Sequence, residues 1–80
     1  MQISCCLIGF GRIGQIHYKN IIDGHNRNYW NLLYIIESEK EVQRVNEILQ
    51  DKKITVTTSL DKVLNDPKIN CIFICSPTHM

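Results

Sequence analysis

Apolar residues fall along this chain in two rhythms: short unbroken runs, and stretches where they return every three or four positions. ISCCLI (3–8), LLYII (32–36) and CIFIC (71–75) are runs in which nearly every side chain is apolar. Runs of this length and continuity predict strands buried on both faces, as in a parallel sheet. ITVT (54–57) alternates instead, predicting a strand with one wetter face. Between the runs the rhythm turns helical. Ile13, Ile16 and Asn20 or Ile21 recur at helical spacing from Arg12 to about Asp23, and Gly24 predicts the stop. Ser38 opens a second helix with Val42, Val45 and Leu49 as its buried stripe, and Glu41 completes a capping box with Ser38. Ser59 to Leu64 predicts a short capped helix, closed by Asn65-Asp66-Pro67. HNRNYWN (25–31) reads as a polar loop and Asp51-Lys52-Lys53 as a turn. The order β-α-β-α-β-α-β belongs to the α/β class and implies a parallel sheet with right-handed crossovers. The expected strand order is 3-2-1-4, an incomplete doubly wound fold in a single domain spanning residues 1–80.

The junction of the first strand and helix carries the chemistry. Gly9, Gly11 and Gly14 stand at G-x-G-x-x-G spacing, directly after a buried strand and at the mouth of a helix. Alone, such spacing recurs by chance; within a β-α-β unit it is the fingerprint of a Rossmann-type dinucleotide site. Gly9 permits the tight turn, Gly11 lets the backbone approach a pyrophosphate, and Gly14 lets the helix lie close to the strand. The free N–H groups and dipole of the helix face the phosphates, and Arg12 adds charge. The fingerprint also calls for an acid at the end of the second strand. Glu37 stands there, 23 residues after Gly14, placed to accept hydrogen bonds from an adenosine ribose diol. A 2′-phosphate would meet like charge, so NAD is expected over NADP, with Lys40 nearby as a counterweight. The bland alternative is that the glycines only turn the chain and Glu37 is a solvated strand-end acid.

Composition narrows the partners. Nine basic against eight acidic residues leave a net charge of +1 with no basic stripe, which argues against nucleic acid. No apolar run approaches the roughly 20 residues of a membrane helix, and the N-terminal run is too short for a signal peptide. A soluble, cytoplasmic protein is expected. Cys5 and Cys6 are adjacent, so in a strand they point to opposite faces and cannot chelate one ion together. Neither they nor Cys71 and Cys75 have C-x-x-C spacing, and all four read as reduced packing residues. His17 reads as a packing histidine of the first helix, and His25 and His79 carry no argument. Tyr29 and Trp30 read as caps on the core.

IGFGRIGQIHYKNI resembles the opening of the glucose–fructose oxidoreductase and inositol 2-dehydrogenase (Gfo/Idh/MocA) family, in which a strand runs into G-x-G-R-I/M-G-x-x-H. Gly9, Gly11, Arg12, Ile13, Gly14 and His17 match. TSLDKVLNDPKINCIFICSPTHM is similar to the family's next block, with Asp61, Leu64, Asp66, Ile72 and Pro77 in frame. The resemblance implies an N-terminal cofactor-binding domain of an oxidoreductase acting on sugars, polyols or related alcohols. Phe10 and Ile13, within the glycine stretch, are expected to join Gly9, Gly11, Arg12, Gly14 and Glu37 as cofactor contacts, and the resemblance implies that Ser76, Pro77 and Thr78, after the last strand, do so too. The family's Glu-Lys-Pro segment, whose lysine assists proton transfer, and its C-terminal substrate domain are not in these 80 residues. Two functions follow: the cofactor-binding part of an NAD-dependent oxidoreductase, or a non-catalytic nucleotide-binding or interaction module. The outer edge of strand 71–75 is expected to seek self-association or a missing partner chain.

Overall fold

Residues 2–23, 29–49 and 53–75 are described by a computed structural model. Strands β1 (Ile3–Ile8), β2 (Trp30–Ile36), β3 (Thr55–Thr57) and β4 (Cys71–Ile74) pair in parallel in the order β3-β2-β1-β4. Helices α1 (Arg12–Ile22), α2 (Glu39–Ile48) and α3 (Leu60–Leu64) alternate with them. This is the expected Rossmann-type half-sheet.

The unbroken apolar run of β1 is explained by its central place. Cys5, Cys6 and Leu7 are wholly buried because both faces of the strand are covered. On one face Cys5 and Leu7 join Leu32 and Ile35 of β2, with Phe10, Ile21 of α1 and Val45 of α2. On the other, Cys6 and Ile36 pack with Val63 of α3, flanked by Ile8, Tyr34, Ile69 and Ile72. Helices α1 and α2 therefore share one side of the sheet, and α3 takes the other.

One irregularity interrupts the ladder. Cys5 pairs with Leu32 but Cys6 with Tyr34, so Leu33 is an extra residue, a bulge in β2. The insertion puts Leu32 and Ile35, rather than Leu32 and Tyr34, on the same face. Simple alternation gives no hint of it.

Two expectations about the helices need correction. Ile13 and Ile16 do not face the core: they are 59% and 54% exposed. The buried side of α1 runs instead through Gly14 and Ile21, with Tyr18 half-buried between them. The helix is drawn onto the sheet by its glycine, which rotates the isoleucines outward. The capping box on α2 does not form either. Ser38 accepts the N–H groups of Glu41 and Val42 on its backbone carbonyl, at 2.9 and 3.1 Å, and its side chain makes no cap. The Glu41 carboxylate pairs with Arg44 one turn on, a charged partner that outcompetes a neutral amide. The stripe on α2 is as expected, with Val45 and Leu49 buried and Val42 half-buried. Helix α3 is capped as expected, Ser59 Oγ accepting the Lys62 N–H at 3.1 Å. Strand β2 begins at Trp30, two residues before the predicted run, because Ile3 N–H reaches the Tyr29 carbonyl at 2.7 Å and extends the pairing. The predicted stop at Gly24, the loop residues 25–28 and the turn residues Asp51 and Lys52 lie outside the described residues.

Candidate functional site

The carboxyl ends of β1 and β2 bring the glycine turn and Glu37 together. Gly9 leaves β1 with φ of 96°, a backbone setting that side chains disfavour, while its N–H stays on the ladder by donating to the Ile36 carbonyl at 2.8 Å. Phe10 then drops its ring into the core, fully buried and edge-on to Tyr18 at 5.4 Å. Gly11 is the N-cap of α1, and its carbonyl accepts the Gln15 N–H at 2.9 Å. Arg12 and Ile13 stand exposed at the helix mouth.

The two later glycines do different work. A Cβ on Gly14 would strike the Gly9 carbonyl, its carbon lying 3.0 Å away and its oxygen closer still. A Cβ on Gly11 would meet nothing within 4 Å. The first is a packing requirement inside the fold; the second leaves open space before the first helical amides, which have no intrahelical partner. The N–H donors and the positive end of α1 face that space, a setting that suits an anion. No side chain caps the helix and no acid lies in its first turn.

Glu37 is half-buried, just past β2, and its carboxylate is engaged on both oxygens. Oε2 accepts the Phe10 N–H at 2.8 Å, and Oε1 accepts the Ser38 N–H at 3.0 Å. From α2, Arg44 Nη2 donates to the Phe10 carbonyl at 3.4 Å while its Nε pairs with Glu41. Arg44 was not among the candidates from sequence. It lies 34 residues from Phe10, and nothing in its local pattern points there. The structure thus gathers Gly9, Phe10, Gly11, Arg12, Ile13, Gly14 and Glu37 at the carboxyl end of the two central strands. Ser76, Pro77 and Thr78 lie outside the described residues, as do His25 and His79.

Residues 3–80 match the model of the "Oxidoreductase family, NAD-binding Rossmann fold", GFO_IDH_MocA. The chain belongs to the Gfo/Idh/MocA family. It is also similar to an uncharacterized oxidoreductase, YrbE, of Bacillus subtilis (strain 168), at 33% identity over 78 residues. That match takes in 96% of this chain and 21% of YrbE, so the chain spans about a fifth of that relative's length.

His17, Trp30 and the buried cysteines of this Gfo/Idh/MocA domain sit in packing roles. His17 is half-buried and stacks on Phe73 of β4 at 5.9 Å between centroids, which leaves it aligned with the core rather than with the glycine turn. Trp30 packs edge-on to the same Phe73 at 5.3 Å, whereas Tyr29 is 55% exposed and does not close the core. Burial pushes the Cys5 thiol up to about 12, with Cys71 and Cys6 adding to it, and pushes Cys6 up to about 11. Such thiols stay protonated and unreactive. Among the described residues no group of three or more His, Cys, Asp or Glu side chains is placed to hold a metal ion, and no helix is long and apolar enough to cross a membrane.

Proposed function

We propose that this domain is the cofactor-binding part of an NAD-dependent oxidoreductase acting on sugars, polyols or related alcohols, with the substrate-binding half supplied by further chain. The observation that carries the reading is the engagement of Glu37 with the glycine turn, 2.8 Å from Oε2 to the Phe10 nitrogen. It brings the acid of the fingerprint and the phosphate turn into one site, as a dinucleotide requires. When bound, NAD supplies the nicotinamide that accepts hydride. The chain's own residues bind and orient: the amides of α1 and the side chain of Arg12 meet the pyrophosphate, and the space over Gly11 admits it. Glu37 accepts from the adenosine ribose diol. A 2′-phosphate there would face the carboxylate, and the resulting repulsion favours NAD over NADP. Ser76, Pro77 and Thr78 are proposed to line the nicotinamide side.

Calorimetric titration with NADH and NADPH tests the reading. Tighter binding of NADH is the expected result. Equal affinities would remove the selectivity, and binding of neither would remove the function.

A further inference from the structure

Both polar backbone groups of Phe10 are held from the second β-α unit. Its N–H donates to Glu37 Oε2 at 2.8 Å, and its carbonyl accepts Arg44 Nη2 at 3.4 Å. Phe10 sits between Gly9 and Gly11, two residues with wide backbone freedom, so its peptide planes need outside tethers to hold one orientation. The buried ring fixes the side chain, but the amides beside it set the shape of the turn. A carboxylate is the stronger kind of acceptor for such a tether.

We propose that Glu37 is a positioning residue for the phosphate turn: it clamps the Phe10 amide and thereby sets pyrophosphate affinity, independently of any ribose it binds. This rests on reading Gly9 to Gly14 as the phosphate cradle. The two roles are compatible, because a carboxylate offers about four acceptor sites and the described structure engages two of them, one per oxygen. The free sites remain for a diol. Glu37 thus links the ribose end of the site to the phosphate end through a single rigid group, with Arg44 steadying the far side of the same residue.

Two ligands separate the roles: ADP, and 2′,3′-dideoxy-ADP, which keeps both phosphates but has no diol. In Glu37→Gln the amide can accept from only one of the two N–H groups and turns a donor toward the other. The clamp predicts that dideoxy-ADP then binds about tenfold more weakly. If Glu37 serves the ribose alone, dideoxy-ADP binds the variant equally or more tightly, since a like charge has left the phosphates; that result overturns the clamp. Amide exchange in the ligand-free protein reads the tether directly. In Glu37→Gln the Phe10 N–H should exchange about tenfold faster or more, while Gly9 N–H, bonded to the Ile36 carbonyl, stays protected. Unchanged Phe10 exchange overturns the proposal. A parent protein that binds neither ADP nor NADH overturns the nucleotide reading and the clamp's role with it. Parent binding combined with indifference of the variant overturns the clamp alone.

Discussion

Gly14 rests directly on Gly9: the helix and the turn that feeds it touch backbone to backbone, with no room for a methyl group between them. Gly14→Ala therefore sets two effects against each other. Alanine gains about 1 kcal/mol in helix propensity. Overpacking costs up to about 3 kcal/mol, and no rotamer change relieves it because the atom struck is a carbonyl. A net loss of about 2 kcal/mol is expected from the balance of the two. Denaturant midpoints measure it, and an alanine variant as stable as the parent would show that the helix can move away.

Gly11→Val gives the opposite outcome. Gly11 has φ of −80° and ψ of −154°, an extended setting valine adopts readily, and its Cβ direction is open. The variant should stay folded, giving up about 1 kcal/mol at the N-cap, and lose NADH binding, because the side chain fills the path of the pyrophosphate. Calorimetry beside a melting curve checks both halves.

Removing the Glu37 carboxylate should change the ratio of cofactor affinities. In Glu37→Ala, NADH loses an acceptor for its diol, while NADPH loses a repulsive neighbour. The preference for NADH should shrink or invert, shifting by tenfold or so. An unchanged ratio would take Glu37 out of ribose recognition.

Tyr34 and Asp66 tie β2 to the segment before β4, the hydroxyl donating to Asp66 Oδ2 at 2.6 Å. The bond to Tyr34, followed by that from the Lys68 N–H, holds the Asp66 carboxyl below its ordinary 3.8. The same bond raises the Tyr34 hydroxyl above its ordinary 10.0. A carboxyl lowered by folding stabilises above its ordinary value, and that contribution is lost as pH falls through the lowered one. A hydroxyl raised by folding stabilises below its ordinary value, and loses that contribution as pH rises through the raised one. Tyr34→Phe should thus lower Tm slightly and evenly across neutral pH. The gap from the parent should close in strong acid and again in strong alkali. A gap that ignored both limits would mean that ring packing, not the hydrogen bond, carries the effect.

Among the described residues β4 pairs only on its β1 side, and Ile74 at its end is 71% exposed. A strand edge of this kind recruits another strand. Sedimentation of the 80-residue polypeptide should show association that grows with concentration, and Ile74→Lys should reduce it. A monomer at every concentration would mean that other residues cover the edge.

Much of this fold is legible in the apolar pattern because its central strand, β1, is buried on both faces and the strands beside it keep apolar runs, although no residue of β4 is fully buried. ISCCLI and CIFIC have no polar face to confuse them with loops, and the observed strands lie within one or two residues of the expected bounds. The glycine turn is legible because steric need allows so few residue types there. What escapes is the choice that packing and competing partners make between options the local pattern leaves open. Ile13 and Ile16 look like a core stripe until Gly14 is seen to set which side of α1 lies down. Glu41 looks like a capping residue until Arg44 competes for it. The Phe10–Glu37 bond spans 27 positions and leaves no local trace.

The bulge at Leu33 also governs the chemistry. Beyond it, Ile35 lies toward α1 and α2 and Ile36 toward α3, so the next alternation sends Glu37 to the α1 side. Run the same residues from Leu32 in unbroken alternation, with Leu33 paired like the rest, and the parity reverses. The acid would emerge on the α3 side, with the glycine turn, the helices and the rest of the composition untouched. Whether this sheet presents its acid to the phosphate turn depends on one residue of one strand stepping out of the ladder. Drawing Leu33 into the ladder would separate the two halves of the fingerprint without altering a residue of either.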